Sequence, residues 1–287
     1  MTQMPASTPF IDALRLPAGP VDLESIDTTA TPAWEAGKEA GKEALATAAE
    51  EAGDLQERMW ARGVAGLDPP RVLMVLQGMD TTGKGGIVKD AGGAIPPMGL
   101  HVAAFGSPTD EELRHDFLWR VRRQLPATGQ VGIFDRSHYE DVLIAKVRGL
   151  AEPQEIERRY DAINAFEAEL GADGIVLVKV MLHVSKQRQA ERLDERLLDE
   201  TKHWKFDPSD IDERERWDDY MAAYETALER CRTDAAPWHV VPAHSKWYRK
   251  LACASLLVET LRGLDLTWPD TDLDVEAERA RLRATMD

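Results

Sequence analysis

Between Arg71 and Asp90 the chain reads RVLMVLQGMDTTGKGGIVKD, an apolar run that stops at one glycine and restarts through a second glycine and a lysine. Val72 to Leu76 is short and unbroken, the pattern of a strand covered on both faces in a parallel sheet. Gly78-Met79-Asp80-Thr81-Thr82-Gly83-Lys84 then has the spacing G-x-x-x-x-G-K of a phosphate-binding loop. Its glycines let the backbone wrap so that N–H groups and the N-terminus of the next helix converge on a polyphosphate, and Lys84 adds a mobile positive charge. Thr81, Thr82, Gly85, Gly86 and Lys89 complete the set expected to face phosphate. Position 85 is glycine where the pattern calls for Ser or Thr, so the hydroxyl that usually ligates Mg2+ is missing. Asp80 can take its place, because Mg2+ accepts one or two carboxylates beside phosphate oxygens and water.

The rest of the chain alternates strands and helices. Further strands are expected at Leu100 to Phe105, Gln130 to Phe134, Gly174 to Leu182 and Trp238 to Val241. Helices are expected at Ala33 to Arg62, Thr109 to Leu125, Glu152 to Leu170 and Ser245 to Leu264, with another opening at Ser137. This order calls for an α/β fold, a parallel five-stranded sheet with helices on both faces. Residues 1 to about 33 carry Pro5, Pro9, Pro17, Pro20 and Pro32 and read as an extended arm that docks on the core or on a neighbouring subunit. Gln130 to Phe134 ends in Asp135-Arg136, and an acid at the carboxyl end of a buried strand lies where a metal beside a phosphate-binding loop is met. Ser137 and Glu140 have a capping-box explanation, so His138 and Glu140 are acceptor candidates by position alone. In the basic half of the 109–125 helix, a helix C-terminus explains Arg122 and Arg123 about as well as substrate binding does, and Arg120 is assigned to the acceptor.

Net charge bounds the partners. Lys and Arg number 35 against 51 Asp and Glu, a formal charge of −16, which argues against broad binding to nucleic acid or to a membrane surface. An anionic substrate must therefore meet a local basic cluster. One candidate lies between the fourth and fifth strands, where Arg188, Arg192 and Arg196 recur every four residues and place three guanidinium groups on one helical face. The competing account is a solvated face paired with Glu191, Glu195 and Glu200. Lys202 and Lys205 stand at the return of this segment. Cys231 and Cys253 are the only cysteines and form no metal or disulfide pattern. With no apolar run of roughly 18 residues and no leader-like start, a cytoplasmic location is expected.

GMDTTGKGG, EELRHDFLWR, FDRSHYEDVL, SKQRQAERL, HWKFDPSD, WDDYMAAYE and APWHVVPAHSKWYRKL, in this order, resemble the polyphosphate kinase 2 family over about Asp54 to Leu264. The resemblance implies a thymidylate-kinase-like P-loop core over 67–270 with a helical lid at about 185–207. An N-terminal arm and helix over 1–66 and a tail over 271–287 flank that core. It implies Mg2+-dependent transfer of the terminal phosphoryl group between inorganic polyphosphate and nucleoside mono- and diphosphates, in a homodimer or homotetramer. On it, Asp80 and Asp135 look like the metal carboxylates, Lys84 the loop lysine, Arg136 a phosphate contact, and Arg192 and Arg196 lid arginines over the polyphosphate. HYEDVL resembles the branch that accepts both AMP and ADP. Phe105-Gly106-Ser107-Pro108 departs from the family's FKAPS-like stretch, and the missing lysine is expected to weaken polyphosphate binding. The alternatives are an ATP-using nucleotide kinase of the same fold and a binding module without turnover.

Overall fold

The computed structural model describes residues 8–286, so Pro5 of the arm lies outside the described residues. Five strands form one parallel sheet: β1 (Arg71–Gln77), β2 (Leu100–Ala104), β3 (Val131–Asp135), β4 (Ile175–His183) and β5 (Trp238–Pro242), in the order β2-β3-β1-β4-β5. Val72 to Leu76 are wholly buried in β1, each such side chain contributing about 1.5–3 kcal/mol. Leu76 is level with Asp135, and Asp135 with Ala104, so the central strands end together and present the P-loop and the acid at one edge. Ligands gather at that edge of a parallel sheet.

The helices are α1 (Phe10–Leu14), α2 (Gly37–Val64), α3 (Lys84–Ala91), α4 (Trp119–Arg122), α5 (Ile144–Val147), α6 (Pro153–Ala172), α7 (Lys186–Leu197), α8 (Ser209–Glu215), α9 (Trp217–Arg230), α10 (Lys246–Arg262) and α11 (Val275–Arg283). α10 is the most buried, holding Leu251 to Val258 out of water, and it packs on α2 and α3. α6 lies against β4, and α5 against α6 and α9. The arm docks on this same core: Glu259 accepts from the Phe10 and Ile11 amides, Glu229 from Val21 and Glu225 from Leu23. Tyr248 Oη donates to Pro32 O at 2.7 Å. No helix among the described residues is long and apolar enough to cross a membrane.

Three local expectations are corrected. β2 is an edge strand with half-exposed residues rather than a buried one, since nothing pairs beyond it. The single helix expected over Thr109 to Leu125 is a 3-10 turn (Glu112–Arg114) followed by α4. Asp116 divides them by accepting from the Leu118 amide, the local bond with which Asp competes against a continuous helix. Thr109 caps the first of these, its Oγ1 accepting from Glu112 N while Glu112 Oε2 accepts from Thr109 N. After Ser137 comes a 3-10 turn (His138–Asp141) in which Ser137 Oγ caps Tyr139 N, leaving Glu140 without the capping-box role.

Candidate active site

Backbone conformation shapes the P-loop before any side chain does. Gly78 (φ 143°) and Gly83 (φ 96°) adopt angles that L-residues avoid, while Thr81 (φ 67°) and Arg136 (φ 65°) are non-glycine residues held left-handed. Such residues cost about 1–3 kcal/mol each and persist where the surroundings over-determine them. A Cβ at Gly78 would sit 2.6 Å from Leu182 O, so the loop turns tightly against β4. Lys84 is buried at the start of α3 and donates from Nζ to Gly78 O at 2.8 Å, folded back over the curve of the loop. Thr82 Oγ1 donates to Met79 O, whereas buried Thr81 Oγ1 has no partner among the described residues. Gly85 and Gly86 form the first turn of α3, and Lys89 is exposed in its last turn.

Asp80 and Arg136 form the central ion pair, Nη2 to Oδ1 at 2.8 Å. Burial alone would raise Asp80, yet Lys84 and Arg136 outweigh it and hold the carboxyl below its usual range. Burial would lower Arg136, but Asp80 and Glu140 push it up. Asp135 faces the first turn of α3: a Cβ built on Gly85 would lie 3.9 Å from its Oδ2. This is the place the absent Ser or Thr hydroxyl would occupy, so glycine leaves room between Asp135 and the loop. No cluster of three or more His, Cys, Asp or Glu among the described residues could form an all-protein metal cage. Two carboxylates beside a phosphate cradle are a donor set that fits Mg2+, which keeps water and phosphate oxygens in its shell.

A cleft of about 260 Å3 opens from Asp80 between Arg136, Glu140, Arg148, Asp210, Tyr220 and Tyr224. A second, of about 220 Å3, continues past Phe105, Gly106, Arg120, Glu140 and Asp141. Glu140 lines both, and burial, ahead of opposition from Arg136 and Lys84, raises its pKa. With its amide nitrogen toward Glu140 Oε1, Gln77 donates there at 3.0 Å and accepts from Ser137 Oγ and N. Arg120 is buried beneath the second cleft, donating to Gly106 O at 2.9 Å and pairing with Asp141. Arg148 pairs with Glu213, which also accepts from Tyr220 Oη. His138 is corrected: it is wholly buried, with Nε2 3.3 Å from Glu167 Oε1, and does not reach either cleft. Gly106 lines the second cleft, and a Cβ there would meet nothing within 4 Å.

The profile described as polyphosphate kinase 2 matches residues 35–267. The chain belongs to the polyphosphate kinase 2 family. It is 43% identical over 256 residues to an AMP/ADP-polyphosphate phosphotransferase of Meiothermus ruber, covering 89% of this chain and 94% of that protein. It is 36% identical over 263 residues to an ADP-polyphosphate phosphotransferase of Rhodopseudomonas palustris, covering 88% and 89%. The crystal structure of polyphosphate kinase 2 from Arthrobacter aurescens TC1 superposes with a TM-score of 0.94 at 48% identity, covering 99% of this chain and all of that one. The fold is that of a P-loop kinase.

Against this family frame, the expected arginine row is not uniform. Arg188 pairs with Glu191 and Glu195, the solvated arrangement, and Arg196 pairs with Asp210 at 3.2 Å. Arg192 is corrected: it points into the protein, not over the groove, donating to Thr81 O, Ala243 O and His244 O at 2.6–2.9 Å. Burial and the nearby Arg249 and Arg188 bring it down to about 10. Lys202 pairs with Asp199, and Lys205 stacks over Trp204, so neither is held toward the P-loop. Sequence reasoning missed Arg249. It is 5% exposed, and its Nε and Nη1 have no partner among the described residues. A Cβ at Gly83 would fall 2.1 Å from its Nη2, so the guanidinium rests directly on the P-loop. The available signal was its place in the first turn of the helix after β5, at the carboxyl edge of the sheet. Beyond it, Lys38, Lys42, Arg188, His244, Lys246 and Lys250 line a groove of about 590 Å3, their charge partly met by ion pairs to Glu39, Glu191, Glu195 and Asp90.

Proposed function

We propose that this protein moves the terminal phosphoryl group of inorganic polyphosphate to ADP, forming ATP, and to AMP, forming ADP, and also runs the reverse. One observation carries the donor assignment. In a chain of net charge −16, a groove beside the start of α3 gathers four lysines, an arginine and a histidine, of which Lys42, Arg188, Lys246 and Lys250 also pair with nearby carboxylates. Lys250 lies beside the loop, its Cε 3.9 Å from a Cβ built at Gly86. A cation-lined trench of this kind suits a repeating polyanion rather than an adenine base, which favours polyphosphate over ATP as donor.

The chemistry asks little more than placement. The attacking oxygen of a nucleotide phosphate is already anionic at neutral pH, so no general base is needed, and catalysis consists of aligning two polyanions and offsetting their repulsion. Lys84 can swing from Gly78 O to the transferring group. Arg249 reaches the donor from α10, and Arg136 lies between donor and acceptor. Asp80 and Asp135 would hold Mg2+, whose charge, when bound, offsets that of the phosphate oxygens. Glu140, Arg148 and Tyr220 line the acceptor cleft, and Arg120 supports it from below.

A cytoplasmic location is in keeping with two free, buried cysteines. Self-association into a dimer or tetramer is checked by light scattering. Incubation with ADP, Mg2+ and long-chain polyphosphate as the sole phosphoryl donor tests the reading: ATP accumulates. A protein that phosphorylates nucleoside monophosphates from ATP and makes no ATP from polyphosphate is instead the ATP-using kinase.

A further inference from the structure

Beneath the acceptor cleft lies a wholly buried set of polar side chains drawn from three separate elements. Lys179 of β4 and Glu167 of α6 are 0% and 2% exposed. Lys179 Nζ donates to Glu167 Oε2 at 2.6 Å, to Cys231 O at 2.6 Å and to Tyr139 Oη at 3.0 Å, which uses all three of its protons. Tyr139 Oη in turn donates to Glu167 Oε1 at 2.7 Å, and His138 Nε2 lies 3.3 Å from the same oxygen. Aromatic packing closes the site: Tyr139 meets Trp238 edge-on at 4.7 Å and His138 meets Phe166 edge-on at 5.4 Å. Burial would raise Glu167, but Lys179 and His138 hold it below the usual carboxylate range.

A buried ion pair is weak evidence for stability, since apolar replacements of similar volume are often as stable. Its position matters more here. His138 and Tyr139 are two of the four residues of the 3-10 turn His138–Asp141, and their side chains point inward to Glu167 and Lys179. Arg136, left-handed and paired with Asp80, stands just before this turn, and Glu140, the residue after Tyr139, lines both nucleotide clefts. The turn is too short to hold itself, because a single 3-10 turn has few bonds of its own.

We infer that Glu167, Lys179 and Tyr139 are positioning residues: they clamp the turn from below and thereby fix Arg136 and Glu140 toward the nucleotide. This rests on the proposed acceptor side of the site and adds to it residues that touch no substrate. Loss of the clamp loosens the acceptor side and leaves the donor groove, built from α2, α7 and α10, as it was.

Two variants test this, Tyr139→Phe, which keeps the ring and removes only the hydroxyl, and Glu167→Leu/Lys179→Met, which removes the pair without leaving a buried charge unpartnered. Calorimetric titration with ADP and separately with tripolyphosphate reads binding whether or not turnover occurs. Tyr139→Phe, which leaves one Lys179 proton without an acceptor, is expected to stay folded with a melting temperature a few degrees below the wild type, to bind ADP at least fivefold more weakly and to bind tripolyphosphate within twofold of wild type. In the ATP-forming assay its KM for ADP rises and its kcat falls, with the KM for polyphosphate unchanged. The double variant, if folded, shows the same split more strongly; if it does not fold, Tyr139→Phe alone decides. Wild-type ADP affinity in Tyr139→Phe, or equal weakening of both ligands, overturns the inference. A wild-type protein that binds ADP but makes no ATP from polyphosphate refutes the proposed reaction instead, and the binding split still judges the clamp.

Discussion

Replacing Arg249 with methionine should separate stability from function. The guanidinium is buried against Gly83 with Nε and Nη1 unpartnered, and burial pulls its pKa down. A buried charge without a partner destabilises the folded state, and an apolar side chain of similar length relieves that penalty. Arg249→Met is therefore expected to melt at or above the wild-type temperature; each kcal/mol gained raises Tm by about 2–4 °C in a chain of this size. The same change removes charge-assisted contact to the donor in a site shielded from water. A contact of that kind contributes about 3 kcal/mol, which is roughly 150-fold in kcat/KM. Initial rates of ATP formation against polyphosphate concentration, paired with melting curves with and without tripolyphosphate, measure both effects. Tripolyphosphate should stabilise the wild type more than the variant. A variant with kcat/KM for polyphosphate within twofold of wild type refutes the donor role. A variant with a clearly lower Tm makes Arg249 a structural tie.

Four further outcomes are expected. Asp80→Asn and Asp135→Asn each lower turnover by at least about 100-fold while far-UV circular dichroism stays unchanged, since each removes charge from a preorganised site. Arg192→Ala lowers thermal stability by about 3 kcal/mol, because three backbone carbonyls lose their donor, so its melting temperature falls before any kinetic comparison is made. Gly106→Ala is near wild type in activity, and Gly106→Lys lowers the KM for nucleotide more than that for polyphosphate, with the gain shrinking at high salt. The Glu155 carboxyl is lowered to about 2, chiefly by its hydrogen bond from Arg158, with burial opposing and Arg159 assisting. Its folded pKa is depressed, so its small, solvent-screened contribution is present above pH 4.5 and lost as pH falls toward 2; Glu155→Gln removes that dependence in acid melts and leaves kinetics unchanged.

The P-loop edge of the sheet was legible because its signals are local. An apolar run, two glycines and a lysine at fixed spacing define β1, the loop and α3, and an acid after the next buried strand marks Asp135. Charge periodicity on α7 was not enough, because it shows which residues share a face and not which face packs. There the packed face holds Gln189, Arg192 and Leu193, so a polar stripe is buried where a hydrophobic one would be expected. His138 was misassigned for a similar reason: the capping pattern of Ser137 and Glu140 suggested a regular helix, and the 3-10 turn instead sends His138 and Tyr139 inward and leaves Glu140 facing the cleft. The basic groove could not be read from sequence, since Lys38 and Lys42 of α2 meet Arg188, Lys246 and Lys250 only through packing of helices distant in the chain.

The central claim is direct transfer from the end of a polyphosphate chain to a nucleotide. Phosphorus NMR follows both partners in one tube: polyphosphate terminal and internal groups, the ADP β-phosphate and the ATP γ-phosphate. The account predicts that, with Mg2+ present and no other donor, each ATP γ-phosphate gained matches one phosphate lost from the polyphosphate chains, and that no orthophosphate appears in step with it. Orthophosphate release without ATP, or ATP formation that does not draw down polyphosphate, contradicts it.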